Sequence, residues 1–310
     1  MYPLVNIVCG RGSRYLAEKI ADCYGQKLGD VRFTDFADGE FQPSFEDNIR
    51  GNEVFIVQST FAPSDNLFEL LLMIDAAKRA SARHIIAVIP YFGFARQDRK
   101  DKPRVSIAAK LVANLLTAAG VHRIITIDLH ADQIQGFFDL PVDHLFASSI
   151  FIPHLQKLDL PNLIMASPDT GGTRRAAAYA KIMHTGFAIC YKQRSKPNQV
   201  ENMALIGDVT NKNVVLVDDI IDTGSTLTKS AKLIMENGAA SVRAFCTHPV
   251  LSKDAYENIN NSVFAEIFVT DTIPLRLQND KIKVLSCASL LSDVIRKVQN
   301  CESISSLFKF

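Results

Sequence analysis

Short runs of β-branched and aliphatic residues recur along this chain, separated by amphipathic stretches of helical period. Residues 4–8, 54–57, 85–89 and 124–127 are apolar runs of strand length, and 67–80 and 106–119 between them have helical spacing and good helix formers. The pattern repeats in the second half, with strand candidates at 163–166, 187–190, 214–217, 242–247 and 267–269 and helix candidates at 174–183 and 226–237. Strands without polar alternation are buried on both faces, and strands alternating with helices build βαβ units. The expected fold is therefore α/β, with largely parallel sheets flanked by helices.

Two of the apolar runs end alike, 124–127 running into Asp128 and 214–217 into Asp218. This echo, in a chain of 310 residues, predicts two similar α/β domains, 1–147 and 148–310, although no Gly/Ser-rich linker marks the boundary. Residues 288–299 read as a terminal helix. The tail after it, 303–310, has the N-terminal domain as its candidate docking place.

The segment 214–226, VVLVDDIIDTGST, carries the strongest chemical signal. A buried strand stops at two adjacent carboxylates, Asp218 and Asp219, and an amphipathic helix follows. In an open α/β sheet, ligands bind beyond the carboxyl ends of strands. The turn of Asp222, Thr223, Gly224, Ser225 and Thr226 has the parts of a phosphate cradle. Gly224 permits close backbone approach, three hydroxyls donate, and the free N–H groups of the helix start favour a dianion. The carboxylate pair can accept hydrogen bonds from vicinal sugar hydroxyls. The plainer reading is that these side chains only cap a helix; the Asp pair directly after four apolar residues argues against it.

A nucleotide, if bound, has no Walker loop to hold it. Gly10-Arg11-Gly12 starts like a dinucleotide fingerprint, but Tyr15 stands where the third glycine belongs. Three other segments are candidates. In Phe36-Ala37-Asp38-Gly39-Glu40 the ring can stack on a purine, although the segment alone reads as a polar turn. Residues 91–104, YFGFARQDRKDKPR, follow the apolar run 85–89 and so lie at a ligand edge. Residues 127–138, IDLHADQIQGFF, place Asp128 and His130 at another strand end.

Lys+Arg of 34 against Asp+Glu of 33 leaves a net charge of +1, which argues against a polynucleotide partner. The six cysteines are scattered, without a CxxC pair, as expected of reduced thiols. The start, MYPLVNIVCGRGSR, lacks the features of a signal peptide, and no apolar stretch approaches the ~20 residues needed to span a bilayer. A cytoplasmic protein without membrane or nucleic-acid partners is expected.

PYFGFARQDRKDKPR, DLHADQIQGFF, SPDTGGTRRA (167–176), YKQR (191–194) and DDIIDTGST occur in this order. Together they resemble the signatures of the ribose-phosphate pyrophosphokinases (PRPP synthases), and the likeness runs from about residue 4 to the tail. The resemblance implies two phosphoribosyltransferase-like domains, with the active site between them and a neighbouring subunit. It implies transfer of the diphosphate of ATP to C1 of ribose 5-phosphate, with Mg²⁺ as cofactor. By that likeness, Lys192 and Arg194 lie in a catalytic loop, within a polar stretch 191–202 that reads as a lid. Phe36, Asp38, Glu40, Arg96, Gln97 and Asp101 would bind ATP. Asp218, Asp219 and residues Asp222 to Thr226 would bind ribose 5-phosphate, and His130 and Asp169 would hold the metal. The family's homo-oligomers, hexamers assembled from dimers, have the 36–40 segment reaching a neighbour's site. Phosphate and ADP act on many members at an interface, where Arg50, Ser81, Gln135, Asp143, Ser305, Ser306 and Phe308 occupy comparable positions. Ser225 stands where many relatives have a second glycine; serine suits a helix start and adds a donor.

Two rivals share part of this pattern. A phosphoribosyltransferase would use the same DDIIDTGST segment but would not need ARQD, DLHADQIQGFF or a second domain. A non-catalytic regulatory subunit of the same family would be expected to carry disrupted site segments, whereas Lys192, Arg194, His130 and the Asp pair are all present.

Overall fold

The computed structural model describes residues 4–193 and 202–307, without the side chains of residues 192, 193, 202 and 306. The chain forms two compact units; one runs to Phe146 and resumes at Cys287, and the other is Ala147–Ser286.

The first unit opens with β1 (Val5–Cys9) and α1 (Arg14–Tyr24). β2 (Val31–Asp35) and β3 (Phe41–Phe45) then form an antiparallel hairpin that is a sheet of its own. β4 (Glu53–Val57), α2 (Asp65–Arg79), β5 (His84–Ile89), α3 (Ala108–Ala119), β6 (Arg123–Ile127) and β7 (Val142–Leu145) follow. Its main sheet is parallel throughout, in the order β1-β4-β5-β6-β7. Val54, Phe55, Ile56 and Val57 are all fully buried, as expected of a central strand covered on both faces. Leu70, Met73 and Ile74 of α2 and Ala113 and Leu116 of α3 pack into the same core as Val54 and Ile56.

The second unit contains α4 (Ser148–Lys157), β8 (Leu163–Ser167), α5 (Thr173–Met183), β9 (Phe187–Gln193), β10 (Asn202–Ile206), β11 (Asn213–Ile221), α6 (Ser225–Glu236), β12 (Ser241–Pro249), α7 (Ala255–Asn260), β13 (Glu266–Thr270) and β14 (Ile282–Leu285). The sheet order is β10-β9-β8-β11-β12-β13-β14, parallel except where β10 pairs with β9. The last helix, α8 (Ala288–Gln299), belongs to the first unit and packs on α1. Arg296 donates to the Tyr24 carbonyl at 3.1 Å with its guanidinium 5.1 Å from the Tyr24 ring centre, and the Tyr24 hydroxyl donates to Gln299 at 2.7 Å.

Most strands run past their apolar stretches, because a ladder continues wherever backbone partners do. β11 carries pairing through Asp218 to Ile221, so the Asp pair lies within the strand rather than after it. β9 reaches Gln193 and pairs Lys192 with Met203, which shortens the expected lid at both ends. The β2–β3 hairpin has no counterpart among the strand candidates because polar residues alternate with its apolar ones and leave no continuous apolar run. The echo between 124–128 and 214–218 is also reassigned. By place in the sheet, β4 matches β11 and β6 matches β13, so Gln58-Ser59 corresponds to Asp218-Asp219 and Asp128 to Asp271.

Candidate active site

The carboxyl end of β11 in the second unit brings Asp218, Asp219 and Arg175 together. The Asp219 N–H donates to Oδ1 of Asp218 at 2.9 Å, and Arg175, from the first turn of α5, donates to Oδ1 of Asp219 at 3.0 Å. The side chains of this ion pair are 16% and 9% exposed. Burial, and then the neighbouring Asp219, push the Asp218 carboxyl well above the usual range, and Arg175 pulls the other way.

The chain next passes through Asp222 and Thr223 to Gly224, which has φ +72° and precedes α6. That left-handed conformation is the reason for glycine here. The N-cap residue, Gly224, has no side chain to cap α6, and a turn hydroxyl that reaches the helix start is that of Thr223, which accepts from the Ser225 N–H at 3.5 Å. The N-terminal amides of α6 form the anion-attracting end of a twelve-residue helix.

The turn is held from behind by the segment after β12. Leu251 N–H donates to the Ile221 carbonyl and Ser252 N–H to the Asp222 carbonyl, each at 3.0 Å. The Ser252 hydroxyl donates to the Asp222 carboxylate, and the Asn258 side chain of α7 donates to the Thr223 carbonyl at 2.9 Å. Beside them lies the turn after β8, where Oδ1 of Asp169 accepts from Gly171 N–H at 2.8 Å and Gly172 N–H at 3.1 Å. A Cβ on Gly172 would lie 3.8 Å from Oδ1 of Asp218, which places the Asp169 turn against the carboxylate pair. Asp169, Asp218, Asp219 and residues 222–226 thus share one edge. Lys192 lies near the end of β9, where its backbone pairs with Met203, and Arg194 lies outside the described residues.

In the first unit, the turn of the β2–β3 hairpin presents Phe36, Asp38 and Glu40, all exposed. Phe36 N–H bonds the Glu40 carbonyl at 2.8 Å, and Gly39 takes φ +94° between them. Arg96, Gln97 and Asp101 are exposed in the loop that leaves β5. That loop crosses the end of β4 at Gly93, where a Cβ would sit 2.0 Å from the Thr60 carbonyl oxygen. His130 is exposed just beyond β6, and the preceding Leu129 N–H donates to Nε2 of buried His144 at 2.8 Å.

The effector candidates fall in separate groups. Arg50 donates to the Ser81 hydroxyl at 3.1 Å. Gln135 lies 3.2 Å from Nδ1 of His144, next to Asp143, whose two carboxylate oxygens each accept from Arg123 at 2.8 Å. The Ser305 hydroxyl is 3.0 Å from that of Ser303, the Ser306 side chain is not described, and Phe308 lies outside the described residues.

No group of three His, Cys, Asp or Glu side chains suited to a metal occurs among the described residues. Arg175, Ser252 and Asn258 are the members of the site that the sequence reading did not single out.

The chain is similar to proteins of one enzyme family. The family model for the N-terminal domain of ribose phosphate pyrophosphokinase matches residues 5–120, and that for the phosphoribosyl synthetase-associated domain matches residues 191–309. A ribose-phosphate pyrophosphokinase of Porphyromonas gingivalis is 55% identical over 306 residues, covering 98% of each chain. One of Chlorobaculum tepidum is 51% identical over 98% of this chain and 95% of its own. The crystal structure of phosphoribosylpyrophosphate synthetase from Mycobacterium smegmatis superposes with a TM-score of 0.91 at 38% identity, over 96% of this chain and 99% of that one. An α/β chain matched from end to end by relatives of this one kind belongs to the ribose-phosphate pyrophosphokinase family.

Proposed function

We propose that this chain transfers the β,γ-diphosphate of ATP to ribose 5-phosphate, giving 5-phosphoribosyl 1-diphosphate and AMP. The C1 hydroxyl oxygen bonds to the β-phosphorus, the bond from that phosphorus to the α-phosphate oxygen breaks, AMP leaves, and the hydroxyl proton is released. The observation that carries the reading is the edge formed by Asp218, Asp219 and the turn 222–226 in front of α6. It offers carboxylates for a diol and helix amides for a phosphate within one short stretch. Phe36, Asp38 and Glu40 on the hairpin, with Arg96, Gln97 and Asp101, are assigned to the nucleotide. Lys192 and Arg194 are assigned to charge developing on the transferred group.

Magnesium suits the proposed chemistry. It retains waters and is bound through one or two protein groups together with substrate phosphates, so a three-ligand protein cage is not required. His130 and Asp169 are the proposed ligands, with the imidazole acting through water. Bound there, the ion would neutralise charge on the diphosphate. Asp169 already accepts two backbone N–H bonds through Oδ1, which fixes the direction of its carboxylate.

A cytoplasmic homo-oligomer, a hexamer by family resemblance, with phosphate activation and ADP inhibition through the Arg50, Ser81, Gln135 and Asp143 regions, completes the proposal. A phosphate titration of activity that stays flat would remove the regulatory part. The decisive assay follows AMP and PRPP release from ATP and ribose 5-phosphate, without any nucleobase, with and without Mg²⁺. Mg²⁺-dependent release of both by the purified chain supports the reading. No product from these substrates would favour a phosphoribosyltransferase or a non-catalytic subunit.

A further inference from the structure

Hairpins of two strands are marginally stable alone, so the direction of the Phe36–Glu40 turn depends on what grips the strands below it. In the first unit Val31, Phe33 and Phe45 pack the hairpin on the core, and its polar grip runs through Arg11, in the turn between β1 and α1. Its backbone N–H donates to Oε2 of Glu69 at 2.9 Å and its Nε donates to Oε1 of the same carboxylate. Glu69 lies on α2 with its side chain 4% exposed, and it also accepts from Gln58 Nε2 at 3.2 Å. On its other side, Nη1 of Arg11 donates to Oδ1 of Asp35 at 2.7 Å. Asp35 is the last residue of β2, and Phe36 follows it. The guanidinium carbon is 5.0 Å from the ring centres of both Phe33 on β2 and Phe41 on β3, and Phe41 meets Phe68 of α2 edge to face at 6.3 Å.

The turn that carries Arg11 has no slack. A Cβ on Gly10 would lie 2.6 Å from the Gln58 side chain, and one on Gly12 would lie 2.5 Å from Oδ1 of Asn66. Arg11 is thus held against the strand end of β4 and the start of α2, and it reaches both hairpin strands at once. A guanidinium can bond one carboxylate through Nε and a second through Nη1 while it presents a flat face to two rings, which an ammonium cannot do.

We propose that Arg11 is a positioning residue for the adenine nucleotide, setting where the hairpin holds Phe36, Asp38 and Glu40. The inference rests on the assignment of that turn to ATP made above. A merely structural role would lower stability and leave substrate preference alone. A positioning role predicts a defect confined to one substrate.

The test measures kcat and KM for each substrate in purified full-length Arg11→Met, Arg11→Lys, Asp35→Asn and Phe36→Ala. Because small misplacements in a site cost up to ~100-fold, Arg11→Met should raise the ATP KM by about tenfold and leave the ribose 5-phosphate KM within about twofold. Arg11→Lys should recover part of the loss, and Asp35→Asn, which spares the Glu69 pair, should show a smaller ATP-specific defect. If Arg11→Met does not fold, the other two Arg11-linked variants decide. An unchanged ATP KM in them, or equal rises for both substrates, overturns the proposal. Phe36→Ala separates the two layers. If it leaves the ATP KM unchanged, the assignment of the hairpin to ATP fails; if it raises that KM while the Arg11 and Asp35 variants do not, only the role of Arg11 fails.

Discussion

Replacing Arg175 by Met should destabilise the second unit, and by more at high pH than at low. Arg175 Nη1 sits 3.0 Å from Oδ1 of Asp219, and both side chains are largely buried. At an effective dielectric of about 20, unit charges at that distance attract by about 5–6 kcal/mol before desolvation is counted. Removing one partner of a buried pair typically costs about 3–5 kcal/mol, because the other charge stays uncompensated. We take about 3 kcal/mol at pH 8, which for a cooperative unit of this size lowers Tm by about 6–12 °C. The pH sign follows from Asp218. Its folded carboxyl already titrates well above the ordinary 3.8, so the folded state holds a proton that the unfolded state has released. Stability from this group is therefore complete below the ordinary value and is lost as pH rises through the folded one. Arg175 lowers the Asp218 value, so its loss raises that value further and extends the falling window to higher pH. Thermal melts at pH 5 and pH 8 read the difference. A variant whose Tm matches the parent within a degree at pH 8, or whose deficit is larger at pH 5, refutes the argument.

Ser252→Ala removes a donor to the Asp222 carboxylate and should raise the ribose 5-phosphate KM by roughly 5- to 20-fold with the ATP KM unchanged; equal changes in both would argue for general destabilisation instead. Gly93→Ala forces a Cβ to within 2.0 Å of the Thr60 carbonyl oxygen, so the first unit should lose at least about 2–3 kcal/mol, and a parental melting curve would show that the loop simply moves aside. Lys192→Ala should lower kcat by about 100- to 1,000-fold with both KM values within a few fold, and near-normal turnover would remove Lys192 from the mechanism.

What the sequence disclosed about this site depends on how far apart its parts lie in the chain. Asp218, Asp219 and residues 222–226 are contiguous, so strand, carboxylates, glycine turn and helix start could be read together. Arg175 meets Asp219 across 44 residues, Ser252 meets Asp222 across 30, and Asn258 meets Thr223 across 35. Each is an unremarkable Arg, Ser or Asn until the sheet order brings β8, β11 and β12 side by side. The string TRRA after Asp169 was the one available hint of Arg175, since it puts cations in the first turn of a helix at the ligand edge. Central strands were legible because burial on both faces leaves a continuous apolar run, as at Val54 to Val57. The β2–β3 hairpin was not, because polar residues alternate with its apolar ones, which leaves no continuous run, and each strand is too short for the alternation to stand out.

The shared strand order explains why equivalent edges do different work. In the second unit, the end of β11 holds two carboxylates, and the turn after it keeps Gly224 with no atom closer than 3.7 Å to its would-be Cβ. In the first unit, the same place at the end of β4 holds Gln58 and Ser59, both completely buried. Gln58 spends its amide N–H groups on the Asn66 carbonyl and on Glu69, each at 3.2 Å. Gly10 and Gly12 allow Gln58 and Asn66 to press directly on the preceding turn. That edge is filled by the chain's own amides, so a sugar diol and phosphate have no equivalent place there. A single Gln58→Asp change would not create one, since it would set a second buried carboxylate near Glu69 and leave the crowding around Gly12 intact. The filled edge gives Arg11 a rigid seat, and from that seat it can hold a hairpin that shares no strand pairing with the main sheet.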